Sequence, residues 1–240
     1  LQEKSLAEFS TEGNMPQLPD QFLFSLFLTL RVAGMATVFA LIFGVGLAQI
    51  VARYRFPGRE VLDAVCTLPL VMPPTVLGYY LLVLIGRRGV LGAWLNEHFG
   101  ITLMFTWQGA VIAASVVAFP MVYKAARAAL EEVKEDFEHA GRTLGLGEAE
   151  VFFRISLPLA FRGILAGTML AFARAMGEFG ATLMVAGNLP GRTQTMSLAV
   201  YSAVQEGNDG LANLLVGVIS VVCVVVLVGT GKLVGGRGKF

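Results

Sequence analysis

Charge is what this sequence has least of. Asp, Glu, Lys and Arg make up 15% of its 240 residues, against about 25% in soluble domains, and the mean hydropathy is +0.70. A chain so poor in charge cannot coat a globule with hydrated side chains, which excludes a secreted or cytosolic globular protein. Eighteen basic and seventeen acidic side chains leave a net charge of +1, so no basic excess points to nucleic acid. The two cysteines, Cys66 and Cys223, both lie inside apolar runs. They build neither a disulfide framework nor a metal knuckle and carry no redox information. Absent too are a G-x-x-x-x-G-K-[ST] phosphate loop, H-E-x-x-H, G-x-S-x-G and Cys-x-x-Cys. The two histidines, His98 and His139, stand far apart. The chain is therefore expected to catalyse nothing and to bind no metal or cofactor itself. The first 20 residues carry Glu3, Lys4, Glu8, Glu12 and Asp20 without an apolar stretch, so no signal peptide is expected, and the missing initiator Met suggests a trimmed or incomplete start.

What remains is apolar length. Val32–Ala52, Ala64–Gly86, Phe99–Tyr123 and Gly210–Gly231 each run without Asp, Glu, Lys or Arg, long enough to cross about 30 Å of hydrocarbon. A fifth stretch, Leu159–Leu183, is interrupted only by Arg162, Arg174 and Glu178. These runs predict an all-α integral membrane protein with about five transmembrane helices and its ends on opposite sides. Residues 53–63, 124–158 and the C-terminal tail together hold eleven Lys and Arg, whereas Lys4, Arg87, Arg88 and Arg192 make four on the other side. Basic residues concentrate in cytoplasmic loops, so the expectation is an outside N-terminus and a cytoplasmic C-terminus. The expected organisation is a periplasmic tail over 1–20, a membrane domain over 21–234 with a cytoplasmic loop at 124–158, and a cytoplasmic tail over 235–240.

Several residues inside these runs are out of place in lipid. Pro69, Pro73 and Pro74 require the second crossing to bend or unwind near Val71–Thr75. Broken helix is tolerated only against protein or a water-lined cavity, so this segment faces either a pathway or a packed neighbour. Arg174 and Glu178 stand four apart on one helix face. Ionisable groups at membrane depth are costly unless paired or wetted, which leaves a structural ion pair or an anion pathway, with Gly177 and Gly180 permitting a local break. Gly163 and Gly167 form a close-packing G-x-x-x-G face that could also dimerise. Arg31, at the edge of the first crossing, is expected to reach for headgroups. Trp94, Phe99, Phe105 and Trp107 suit the membrane interface, and Pro57-Gly58 suits a tight hairpin turn.

The 124–158 loop is the charged exception, with seven acidic and five basic residues. It reads as helix–turn–helix outside the membrane. A short helix from about Asp136 can end at Gly145 or Gly147 in a left-handed cap. A second helix from Glu148 is expected to stop near Pro158. The first would carry Phe137, Ala140 and Leu144 at helical spacing, either closing on its own bundle or offering a knob to a cytoplasmic partner.

Here the residues resemble a known family. Gly145, Ile155, Leu157 and Pro158 in the spacing G-x9-I-x-L-P, preceded by Ala140 and Gly141, resemble the signature loop of type I ABC importer permeases. The strings LPLVMPPTVLGYYLLVLIGRRG (68–89), GRTLG (141–145), LAFARAMGEFGAT (170–182) and GNLPGRTQT (187–195) are similar to the molybdate branch. His139 stands where the family has Glu, with Glu138 one place earlier, and Gly141 replaces the usual second Ala. The resemblance implies a homodimeric permease in the bacterial inner membrane, driven by a cytoplasmic ATPase dimer and supplied by a periplasmic molybdate-binding protein. ATP and Mg would act through the partner. It also implies that Phe137, Glu138, His139, Ala140, Gly141, Leu144, Gly145, Ile155, Leu157 and Pro158 form the coupling loop. Pro73, Pro74, Arg174, Glu178 and Gly180 are the pathway or gate candidates. The rival cargoes are sulfate, thiosulfate and tungstate. An ion-coupled secondary transporter is the rival mechanism, for which only Glu178 offers an intramembrane carboxylate.

Overall fold

The computed structural model describes residues 18–235. The tails expected at 1–20 and 235–240 lie outside those residues except for the helix ends, as do Lys4, Arg237 and Lys239 of the charge count. Among the described residues every regular element is helical. The longest are α1 (Leu18–Arg53), α5 (Trp107–Glu131), α8 (Leu157–Met176) and α11 (Asp209–Gly235). Between them lie α2 (Arg59–Val71), α3 (Pro74–Ile85), α4 (Val90–Phe99), α6 (Glu135–Thr143), α7 (Glu148–Val151), α9 (Gly180–Ala186) and α10 (Met196–Gln205).

Helix α5 is the axis because its sequence lets neighbours come close. Ala110, Ala113, Ala114, Ala118 and Ala126 are fully buried along it, and α1 and α8 lie against it. A Cβ on Gly44 of α1 would stand 3.2 Å from the Val122 side chain. On α8, a Cβ on Gly163 would meet that of Ala129 at 2.5 Å, and one on Gly167 would collide with Ala125. The G-x-x-x-G face therefore packs within the chain, and its two glycines are not free to dimerise.

Contacts along α5 give the course of the chain. Arg31 of α1 stacks on Trp107 at one end of α5, while Arg53 donates to the Leu130 carbonyl at the other. Helix α2 starts beside that second end, where Arg59 meets Glu131 at 3.1 Å. Leu77, Leu81 and Ile85 of α3 pack instead with Ala113, Val117 and Val185. Among the described residues four helices are long and apolar enough to cross a membrane, and the bent pair α2 and α3 makes a fifth if it is counted as one span. The first and last spans thus leave the chain at opposite ends of the bundle.

The break in the second span is sharper than a kink, with the two helices bent by 116°. Pro69 sits inside α2 without ending it. Met72 is extended (φ −74°, ψ 140°), as a residue before proline prefers. Pro74 then occupies the first turn of α3, where no N–H is needed.

Helix α5 continues to Glu131, so the start of the charged 124–158 segment is its last two turns. One expectation about the loop is corrected. Pro158 does not stop the second helix: Glu148–Met176 is one continuous rod, joined by a π-helical turn at Phe152–Ser156. The Leu157 N–H reaches back five residues to the Phe152 carbonyl, and this wider turn lets the proline ring pass. Trp107, expected as an interface anchor, is half-buried against the core beneath Arg31.

Candidate functional site

Helix α6 stands off the end of the bundle opposite Trp107. Glu135, Asp136 and Glu138 fill its first turn and Arg142 its last, a charge order that complements the helix dipole. It ends in two bonds: Leu146 N–H to the Gly141 carbonyl at 3.1 Å and Gly145 N–H to the Arg142 carbonyl at 2.9 Å. That pair is the Schellman closure, and it places Gly145 at φ +86°, a conformation that favours glycine.

The two faces of α6 differ completely. Inward, Glu138 is 2% exposed; its Oε1 meets Arg53 at 2.6 Å and accepts a 2.6 Å hydrogen bond from Ser156. Arg53 also donates to the carbonyls of Leu130 and Val133. One carboxylate thus ties α6 to α1, to the end of α5 and to the π turn. Gly141 lies beside it, where a Cβ would stand 2.6 Å from Ile155. With glycine here, the end of the Ile155 side chain fills that space and α6 seats against the rod behind it. Arg142 clamps the turn through Glu148, with bonds of 2.7 and 3.1 Å, and that hydrogen bonding raises the guanidinium further above its ordinary value.

Outward, Phe137 is 53% and Leu144 84% exposed, with His139, Ala140 and Gly145 exposed between and beside them. No Cβ contact is closed off at Gly145; the space around it is open. Ile155 and Leu157 are half-buried supports and Pro158 is exposed on the rod behind. The ten residues therefore divide: five form an outward surface, Glu138, Gly141, Ile155 and Leu157 hold it in place, and Pro158 belongs to neither group.

The second group of candidates lies where two helices break side by side. Helix α8 ends at Met176, and α9 restarts at Gly180. A Cβ on Gly180 would lie 3.0 Å from that of Pro74, so this break packs directly on the one in the second span. Arg174 donates to Glu178 at 2.8 Å, and Glu178 accepts the Ala181 N–H at 2.8 Å. The carboxylate is 3% exposed and both of its oxygens are engaged. It pairs with the last turn of one helix and caps the first turn of the next.

That double role yields a prediction. Glu178→Gln keeps an acceptor for Ala181 but strands Arg174, whose side chain retains 31% exposure. The cost should fall at or below the low end of the roughly 3–5 kcal/mol for breaking a buried pair. Glu178→Leu also removes the cap and should cost about 1 kcal/mol more. Thermal unfolding of the purified protein should rank wild type above Gln above Leu; an unchanged melting temperature in both would remove the clamp.

The sequence reading missed Arg53, Ser156 and a polar belt in the loop after α9. In that belt Asn188 donates to Ser202 at 2.7 Å and Gln194 to Asn188 at 3.1 Å, while Thr29 of α1 accepts the Met196 N–H at 2.8 Å. Arg53 did leave a signal, being the charge that ends the first apolar run. Among the described residues no three His, Cys, Asp or Glu gather as a metal site.

Comparison with known proteins adds a family, two relatives and two solved structures. The family model described as binding-protein-dependent transport system inner membrane component matches residues 36–234. The molybdenum transport system permease protein ModB of Escherichia coli (strain K12) is 47% identical over 206 residues, 85% of this chain and 90% of that protein. The sulfate transport system permease protein CysT of the same organism is 36% identical over 192 residues, 80% of this chain and 69% of that protein. Among solved structures, an inward-facing MetNI methionine ABC transporter chain superposes with a TM-score of 0.72 at 14% identity, covering 94% of this chain and all of that one. An alginate ABC transporter chain gives 0.74 at 16%, covering 98% and 82%.

Proposed function

The chain belongs to the binding-protein-dependent transport system inner membrane component family, and from that premise we propose that it is the molybdate-translocating permease of an ATP-driven importer. It is a multi-pass protein of the bacterial inner membrane. The observation that carries the mechanism is the outward face of α6. An exposed apolar ridge, Phe137 to Leu144, is held by a buried carboxylate and closed by a left-handed glycine. Such a ridge fits a groove on a cytoplasmic ATPase, which would hydrolyse ATP with Mg and move the spans through α6. Two copies of the chain around a central path, each gripping one ATPase, complete the reading. A periplasmic binding protein would deliver the oxyanion at the Trp107 end.

Molybdate is favoured as cargo over sulfate by the higher identity to the molybdenum permease. A secondary transporter is disfavoured because Glu178, its one available carboxylate, is already bonded to Arg174 and Ala181. Proteoliposomes holding the permease, its ATPase and its binding protein should accumulate molybdate only with ATP, and excess sulfate should not compete. ATP-independent uptake would end this reading.

Orientation is tested separately. The basic residues of the 53–63 and 132–154 segments cluster at the α6 end, so that end is assigned to the cytoplasm. A cysteine at position 148 should label only in inverted vesicles and one at 192 only in intact cells. External labelling at 148 would reverse the assignment.

A further inference from the structure

At the Trp107 end, between α1, the start of α5 and the 187–193 loop, lies a cavity of about 360 Å³. Its charge is of one sign. Arg31 and Arg192 both line it, and none of its lining residues is acidic. Arg31 has its guanidinium 3.9 Å from the centre of the Trp107 ring, and neither arginine has a carboxylate partner among the described residues. Beside the arginines are Gln108 and the first turn of α5, whose N-terminal end favours an anion, although the Gly109 N–H there is already taken by the Thr106 hydroxyl. The rest of the wall is mostly apolar, with Phe27 66% and Phe105 61% exposed, and its other polar side chains are Thr106 and Thr193. Phe105 is also the one non-glycine residue with positive φ among the described residues, at 58°. Strained backbone of this kind persists where the surroundings fix it, often at ligand sites.

We propose that this cavity binds the phosphodiester headgroup of a membrane phospholipid. Guanidinium groups pair with phosphate oxygens in a bidentate fork, and a ring under Arg31 holds that fork in one orientation. The apolar side of the cavity fits the start of the acyl chains, and a cavity rimmed by Trp and Phe at a bundle end suits the depth at which headgroups sit. A free tetrahedral oxyanion offers the same charge but nothing to cover Phe27 and Phe105. The inference does not depend on which cargo the permease carries.

The test is native mass spectrometry of the permease purified with phosphatidylglycerol and then delipidated stepwise. Wild type should retain one lipid per chain after bulk lipid is gone. Arg31→Gln with Arg192→Gln should lower that occupancy by about tenfold, as expected for lost charged hydrogen bonds, while Arg31→Lys with Arg192→Lys, which keeps the charge but loses the fork, should fall between the two. Arg192→Gln alone removes an exposed loop charge without touching the packing, so a fall in its occupancy supports the site even if the double variant does not assemble. Equal retention by wild type and the Gln variants overturns the proposal. Equal retention of diacylglycerol, which lacks the phosphate, does so as well. Displacement of the lipid by millimolar molybdate or inorganic phosphate would instead make this a free-oxyanion site and overturn the lipid assignment.

Discussion

Arg53→Ala should destabilise the protein more than any other substitution at the base of α6. The change strands the Glu138 carboxylate, 3% exposed in its side chain, with only the Ser156 hydroxyl and a longer contact to Arg142 at 3.7 Å. It also strips donors from the carbonyls of Leu130 and Val133. Breaking a buried pair costs roughly 3–5 kcal/mol, and the orphaned carbonyls put this case at the upper end. Glu138→Ala should cost less, because Arg53 keeps both backbone acceptors. Ser156→Ala should cost less again, roughly 1.5–3 kcal/mol for one hydrogen bond to a charged group. The double variant Arg53→Ala, Glu138→Ala should cost less than the sum, since each single change already removes the shared bond. Thermal unfolding checks the order. Hydrogen exchange checks the place: protection should fall over residues 135–156 and hold along α5. A uniform loss of protection, or additive single costs, would show that the three groups do not form one joint.

What could be seen in the sequence, and what could not, follows from how local each determinant is. Pro73 and Pro74 break the second span where they stand because they act on their own backbone and that of Met72. The 116° bend was not legible, because the partner that α3 meets across it, Gly180 against Pro74, lies about a hundred residues away in the chain. Arg174 and Glu178 declared their pairing by being one helical turn apart, but the cap on Ala181 depends on where α8 happens to end. Glu138 looked like one of seven loop acids, and only folding brings it to Arg53. Gly163 and Gly167 announced a close contact without naming the partner, which proved to be α5. Pro158 misled because the rule against proline in helices assumes regular α geometry, and a π turn evades it. His139 proves to be exposed, while Glu138, one place earlier, supplies the inward carboxylate.

Gly145→Glu should leave a folded permease that no longer works with an ATPase. The residue sits at φ +86° with no heavy atom within 4 Å of where its Cβ would be. Any Cβ there costs about 1 kcal/mol of backbone strain, too little to unfold a multi-helix bundle whose glutamate joint and arginine clamp are intact. The side chain would project into open space beside Leu144, the most exposed part of the ridge. A partner surface shaped to that ridge would then meet a carboxylate that it must desolvate without a counter-charge. Gly145→Ala shares the strain and lacks the charge and bulk, so it separates the two effects. Expected, then, are near-normal melting temperatures for both variants, retained ATPase co-purification and uptake for Ala, and loss of both by about tenfold or more for Glu, the effect of one unpaired charge at an interface. Equal loss in Ala and Glu would place the requirement in the backbone turn instead of the surface. A Glu variant that keeps its ATPase and transports normally would show that α6 is not where the ATPase grips.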